Sequence, residues 1–166
     1  VDGLNTFIRA WTTSPVTNDD GVHVGGISGT LLSIGYAIKN IKPTRVILCF
    51  DGKGGSQRRR KLFPEYKASR RTSVNLNRSF MGHTDESADK QNMKMQLGRL
   101  VEYMGQLPVS ILAVENIEAD DSIAYIAKQV LPESQCFIMS SDKDFLQLVD
   151  DRISVWSPTK KKLYFK

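Results

Sequence analysis

An α/β fold, with a central, mainly parallel sheet flanked by helices, is predicted for this 166-residue chain by three features. Short apolar runs alternate with segments of helical period, the pattern of strand–helix–strand units. Two of the runs, Arg45-Val-Ile-Leu-Cys-Phe-Asp51 and Cys136-Phe-Ile-Met-Ser-Ser-Asp142-Lys-Asp144, end on aspartate, and Val1-Asp2 reads as the tail of a similar strand. A further run, Val109 to Val114, leads into Glu118-Ala119-Asp120-Asp121, which holds three carboxylates in four residues. In an open parallel sheet the carboxyl ends of the strands share one edge, where ligands bind. Asp2, Asp51, Glu118, Asp120, Asp121, Asp142 and Asp144 are therefore expected to converge on one patch.

Carboxylates packed this closely repel one another, and nothing basic adjoins Glu118–Asp121 in the sequence. Such a group needs a bound cation, bulk solvent or raised pKa values. A simpler reading makes Asp120 and Asp121 first-turn acids that complement a helix dipole, with Glu118 exposed. That reading leaves Asp51 unexplained, since it precedes a glycine-rich loop rather than a periodic helix. Oxygen ligands without Cys or His suit a hard divalent ion, Mg²⁺ or Mn²⁺.

Composition sets the limits. Hydrophobic content of 40% and charged content of 25% are those of an ordinary globular protein, and the length predicts one domain with a real core. Net charge is +5, although the proposed site concentrates acid. Positive charge must lie elsewhere on the molecule, which points to a polyanionic partner such as nucleic acid. A lysine-rich solubilising surface gives the same totals. Cys49 and Cys136 fall inside predicted strands and are read as buried, reduced residues, neither a disulfide nor a metal pair. His23 and His83 are isolated and are assigned to the surface or loops. With no signal peptide and no membrane-spanning run, a cytoplasmic location is expected. The absence of an initial Met and the basic run at the end suggest that both ends are trimmed.

Leu4 to Trp11 has helical character, and Thr12 to His23 is a polar connection. Gly25-Gly26-Ile27-Ser28-Gly29 opens a helix with Ile27, Leu31, Ile34, Ile38 and Ile41 as its apolar positions. Its glycines either admit a phosphate to free N–H groups or allow close helix packing. Lys42-Pro43 ends it before the strand Arg45 to Phe50. From Gly52 to Arg71, Arg58, Arg59, Lys67, Arg70 and Arg71 are interleaved with Phe63 and Tyr66, a composition suited to phosphate contact and base stacking. A solvated basic helix face is the alternative. Thr72 to Asn92 is polar and without clear period, the mark of a functional or disordered segment. Met93, Leu97, Leu100, Val101 and Met104 mark a helix with one apolar face, ended by Gly105, and Pro108 introduces the next strand. Ile123, Ile126, Ala127, Val130 and Leu131 line the helix after Asp121, which Pro132 stops. A short helix over Asp142 to Val149 packs Phe145, Leu146 and Leu148 inward. Arg152 to Trp156 and Lys162 to Phe165 read as strands about a turn at Ser157-Pro158. No cofactor box or internal repeat is evident.

Taken together and in order, Asp2-Gly3 with Asn5 and Phe7, Phe50-Asp51, Pro64-Glu65-Tyr66-Lys67 with Arg70, Glu118-Ala119-Asp120-Asp121, and Ser141-Asp142-Lys143-Asp144 with Gln147-Leu148 resemble the 5′-nuclease superfamily. That superfamily holds flap endonucleases, the 5′-nuclease domain of bacterial DNA polymerase I and phage 5′-nucleases. The chain looks most similar to the phage ribonuclease H type that removes RNA primers. The resemblance spans nearly the whole chain and implies a three-layer, PIN-like domain that hydrolyses phosphodiesters with two Mg²⁺ ions, for which Mn²⁺ can substitute.

It also implies roles. Asp2, Asp51, Glu118, Asp120 and Asp142 would surround the first metal, and Asp121 and Asp144 would complete the shell or hold the second. Lys67 and Arg70 would approach the scissile phosphate as catalytic residues. Arg58, Arg59, Tyr66 and Arg71 would join them in binding nucleic acid, with Tyr66 stacked on a terminal base. Residues 68–92 would form an arch that guides a single-stranded 5′ end. Substrates would be DNA with a 5′ flap or single-stranded 5′ end, or an RNA–DNA primer duplex. Products would carry 5′-phosphates, in replication or repair and with possible replication-protein partners. The family's helix–hairpin–helix region is expected to be missing beyond Lys166, which puts the second metal site and duplex grip in doubt. A PIN-type ribonuclease acting on single strands and a non-catalytic nucleic-acid-binding module are the alternatives.

Overall fold

In the computed structural model, residues 1–66 and 86–166 are described, apart from the side chains of Arg58 and Glu86. The elements run α1 (Gly3–Thr13), α2 (Gly25–Ile41), β1 (Ile47–Asp51), α3 (Gln57–Leu62), α4 (Glu86–Met104), β2 (Ser110–Val114), α5 (Ala119–Tyr125), β3 (Cys136–Met139), β4 (Ile153–Ser157) and β5 (Lys162–Tyr164). A π turn (Ile126–Val130) extends α5, and a 3₁₀ helix (Lys143–Leu148) follows β3. The chain divides into two compact units. One takes in the described parts of Val1–Asn5, Ile47–Val74 and Ile111–Lys166; the other comprises those of Thr6–Val46 and Asn75–Ser110.

The first unit holds the sheet. β3 and β4 pair in parallel from Cys136↔Ile153 to Met139↔Trp156, and β5 returns antiparallel on β4 with Val155 opposite Tyr164. β1 pairs with β2. The predicted strand tail lies between these two groups. Asp2 forms a parallel bridge with Cys49, and its N–H donates to Met139 O at 3.0 Å. Val1-Asp2 thereby links β1 to β3 and brings Asp2 and Asp51 to neighbouring strand ends.

Against these strands α5 and the 3₁₀ helix bury Ala119, Ile123, Ala127 and Phe145 on Cys49, Ile138, Ile153 and Val155. Each fully buried aliphatic side chain in this cluster is worth roughly 1.5–3 kcal/mol of burial. Cys136 is only half-buried, Val130 is exposed and Leu146 is 37% exposed, so the apolar positions assigned to those elements are partly outside the core. Both cysteines are free. After β1 the backbone passes so near β2 that a β-carbon on Gly52 would overlap the Val114 carbonyl, which explains glycine at that position.

The second unit packs α2 on α4, and the apolar faces match the predicted period only in part: Ile34, Leu100 and Met104 are buried as expected. The buried residues of α2 are Gly25, Gly26, Thr30, Ile34 and Ala37, whereas Ile38 is 39% exposed. Small residues set this face because they admit close neighbours; a β-carbon on Gly26 would strike the Phe7 ring. The first N–H groups of α2 are not open to a phosphate either. Gly26 and Ile27 donate to Gln96 Oε1 at 2.9 and 3.2 Å.

Gln96 Nε2 donates to His23 O at 2.7 Å and to Asn92 Oδ1 at 2.6 Å. His23, assigned to the surface or a loop from its isolation, is buried: its Nε2 is 2.7 Å from Ser14 O. The buried side of α4 carries Asp89 and Gln96 beside the predicted Leu100 and Met104, while Val101 is 38% exposed. Helix α4 begins at Glu86 rather than Met93, so residues 86–92 of the expected arch are helical; the rest of that arch, and His83, lie outside the described residues. No described helix is long and apolar enough to cross a membrane.

Candidate metal centre

The carboxylates of the first unit sit where its strands end. Asp51 closes β1, Glu118 precedes α5 in the connection from β2, and Asp142 follows β3. The carboxylate ligand oxygens of Glu118, Asp120 and Asp121 lie within 4.8 Å of one another. Helical geometry accounts for part of this closeness. Glu118 is the N-cap residue of α5, with an extended ψ of 155°, and Asp120 and Asp121 occupy its first turn, where the helix dipole favours negative charge. Asp121 N–H donates to Asp120 Oδ1 at 2.8 Å.

Glu118 is not exposed, as a simple helix cap would be; it is 2% accessible. A carboxylate withdrawn from water needs a cationic or hydrogen-bonding partner. Arg59, on α3, supplies one. Its Nη1 contacts Glu118 Oε2 and lies 3.1 Å from Asp120 Oδ2, while its Nη2 lies 2.6 Å from Asp121 Oδ1. The Tyr66 hydroxyl donates to Glu118 Oε2 at 3.0 Å, and the Arg59 guanidinium lies 5.6 Å from the Tyr66 ring centroid. Burial pulls the Arg59 pKa down, but the hydrogen bond and charge of Asp120, then the charge of Asp121, carry it above its ordinary value. Arg59 and Tyr66, expected at bound nucleic acid, are thus turned onto the carboxylates.

Of the remaining predicted acids, Asp2, Asp142 and Asp144 are linked through Ser140 in a hydrogen-bonded chain, and Asp51 bonds to the start of α5. Asp51 Oδ1 accepts the Ala119 N–H at 2.8 Å, so Asp51 does serve the start of α5 and is oriented by it. Asp2 Oδ1 accepts the Asn5 N–H at 3.2 Å, and Asp2 Oδ2 accepts from Ser140 Oγ at 3.0 Å. Ser140 Oγ in turn accepts the Asp142 N–H at 3.1 Å, and Asp142 Oδ1 accepts the Asp144 N–H at 3.0 Å. Burial pushes the Asp2 carboxyl above its ordinary value; hydrogen bonds from Asn5 and Ser140 oppose the shift, and the charge of Asp51 adds to it. Asp2, Asp51, Asp142 and Asp144 stand outside the closest group of three.

Lys67, Arg70 and Arg71 lie outside the described residues, as does the Arg58 side chain. Sequence reasoning named Asn5 and Ser141 as motif residues without a role and did not single out Ser140, yet these three groups position this edge. Asn5 Oδ1 accepts from Ser141 Oγ at 2.7 Å and thereby ties the start of α1 to the turn before Asp142. The usable signal was the pair of hydroxyls just ahead of an aspartate at a strand end. No comparable signal marks which arginine of Arg58-Arg59-Arg60 folds back.

The donor chemistry fits a divalent cation: the three groups brought together at the start of α5 are all carboxylates, and Glu118 is buried.

Known structures share this architecture. The chain superposes over 99% of its length on the phage T5 D15 protein co-crystallised with metal ions, with a TM-score of 0.72 and 25% identity, and covers 55% of that chain. A structure of T5 5′-exonuclease with bound zinc ions gives a TM-score of 0.75 at 22% identity, over 99% of this chain and 56% of that one, and shows the same fold. A family model, 5′-3′ exonuclease, N-terminal resolvase-like domain, matches residues 1–166, and the chain belongs to that family. A 5′-3′ exonuclease of Bacillus subtilis is 29% identical over 160 residues, which are 93% of this chain and 48% of the relative. DNA polymerase I of Treponema pallidum is 31% identical over 149 residues, 89% of this chain and 13% of the relative. The chain thus spans about half the length of the exonuclease it resembles, or less.

Proposed function

We propose that this chain is the nuclease unit of a divalent-metal-dependent 5′-nuclease that hydrolyses phosphodiesters of DNA or of RNA primers. The observation that carries the reading is the convergence of Glu118, Asp120 and Asp121 at the start of α5, flanked by the hydrogen-bonded aspartates at neighbouring strand ends. Membership of the 5′-3′ exonuclease family supports it, as do the T5 structures with metal ions and with DNA.

Asp2, Asp51, Glu118, Asp120 and Asp142 would hold one Mg²⁺, with Asp121 and Asp144 completing its shell or holding a second. When bound, such ions activate a water nucleophile and stabilise charge on the phosphoryl oxygens. The chain's own residues orient the reaction. Asp51 and Asp2 are fixed by backbone and Ser140 donors and so present one geometry, and the α5 dipole offsets part of the carboxylates' mutual repulsion. Lys67 follows Tyr66 in the sequence, Arg70 comes three residues later, and both would meet the scissile phosphate. Water adds to phosphorus and the bond to the 3′ oxygen breaks, which leaves a 5′-phosphate on one product and a 3′-hydroxyl on the other. Substrates would be 5′ flaps, single-stranded 5′ ends or RNA–DNA primer duplexes, met during replication or repair in a bacterial or phage-infected cytoplasm.

The test is cleavage of a 5′-labelled flap and a primer–template by this chain with Mg²⁺, with Mn²⁺ and with chelator. Metal-dependent release of short 5′ products is expected. Tight binding without cleavage, in this chain and in a longer one, would instead identify a nucleic-acid-binding module.

A further inference from the structure

Arg59 places a cation among the three carboxylates that the proposed function gives to a metal. Its two terminal nitrogens reach Glu118, Asp120 and Asp121, and the same Nη1 lies 3.2 Å from the Tyr66 hydroxyl. From this geometry we infer that Arg59 is a built-in competitor for the divalent ion: its guanidinium neutralises the carboxylates and is displaced when the ion binds. The inference rests on the metal reading above.

Three physical points carry it. First, Glu118 is 2% accessible, so water cannot solvate it and the fold needs a positive partner there. Second, a guanidinium is a poor final partner. It brings one positive charge to three carboxylates and offers donors in a fixed planar fork, whereas a hard divalent ion brings two charges and takes oxygens in three dimensions. Third, its departure costs little packing. Helix α3 spans only Gln57–Leu62; Gln57, Arg60 and Lys61 are exposed, and Leu62 and Phe63 are 80% and 57% accessible. Little buried surface holds this helix, and Arg59 can leave the carboxylates without opening the core around Ile138 and Ile153. Ion binding would then free a guanidinium on a basic helix beside the site, where an incoming phosphate can use it.

Mn²⁺ titration by calorimetry, with thermal unfolding in chelator and in Mn²⁺, tests this on wild type, Arg59→Ala and Arg59→Gln. Both variants should bind Mn²⁺ on the order of tenfold more tightly, equivalent to about 1.4 kcal/mol. Both should also melt lower than wild type in chelator and regain most of the difference in Mn²⁺. Arg60→Gln removes an equal charge from an exposed position on the same helix and should leave the affinity within about twofold. Unchanged or weaker Mn²⁺ binding in both Arg59 variants would overturn the competition, and so would an equal gain in Arg60→Gln. If neither wild type nor the variants bind Mn²⁺, the metal reading itself falls and the competition with it.

Discussion

The side chains at the carboxylate edge hold one another in place, and substitutions there separate chemistry from folding. Asp142 caps the 3₁₀ helix by accepting the Asp144 N–H, a task that asparagine performs about as well. Asp142→Asn should therefore abolish metal-dependent cleavage while changing stability by less than about 1 kcal/mol. Cleavage at the wild-type rate would remove Asp142 from the site. Asp2 makes a prediction about pH. Burial raises its carboxyl above the ordinary value of 3.8, so the folded state holds the proton more tightly than the unfolded chain. Ionised Asp2 then costs stability. The penalty is absent below the ordinary value, grows as the pH climbs from there to the raised value, and is complete above it. The stability of Asp2→Asn relative to wild type, measured by denaturant unfolding in chelator, should increase between about pH 3 and pH 7. A flat or falling difference would contradict the assignment.

Helices and strands differ in how openly the sequence displays them. β1, β2 and β3 were legible because each is an apolar run closed by a turn residue or an acid, and the sheet-edge rule then led to the expectation that Asp51, Glu118 and Asp142 share one edge. The inner faces of α2 and α4 were legible only in part: Ile34, Leu100 and Met104 are buried as the period predicts. Apolar period also pointed to Ile27, Leu31, Ile38 and Ile41, but beside Ile34 the buried positions of α2 are Gly25, Gly26, Thr30 and Ala37, where small volume rather than hydrophobicity decides the approach. On α4 the decisive residue is polar. Gln96 closes the N-terminus of α2 from a distance of 70 residues, a pairing that no local pattern encodes. Gln96→Leu would leave the N–H groups of Gly26 and Ile27 and the His23 carbonyl without that partner, at a cost of about 1–3 kcal/mol for each buried group left unsatisfied. Thermal unfolding should show a marked loss. Wild-type stability in Gln96→Leu would mean that the network is dispensable.

At the scale of the whole molecule the net charge and the charge of the site have opposite signs. Net charge is +5, yet the candidate site gathers carboxylates from the ends of β1 and β3 and the start of α5. The total was legible in composition, and the acidic edge in the order of the motifs; the inward turn of Arg59 was not, because it depends on a contact 59 residues along the chain. A polyanion is drawn by the total and repelled by the edge, and over a Debye length of about 10 Å at moderate salt the edge governs the last approach. In chelator a single-stranded DNA oligonucleotide should consequently bind through the protein's cations while the carboxylates repel its nearest phosphates. Asp144 is exposed at this edge, and Asp144→Asn removes one repelling charge. Two unit charges about 4 Å apart in water interact by about 1 kcal/mol, and salt reduces that further. The variant should therefore bind the oligonucleotide up to roughly fivefold more tightly in chelator at low salt, and the gain should shrink as salt rises. With Mg²⁺ present the order should reverse, because a lost carboxylate then weakens the hold on the cation that draws the phosphate in. Fluorescence anisotropy in the two conditions reads both signs. A gain of the same size with and without Mg²⁺ would show that Asp144 acts only through the surface field and takes no part in holding metal.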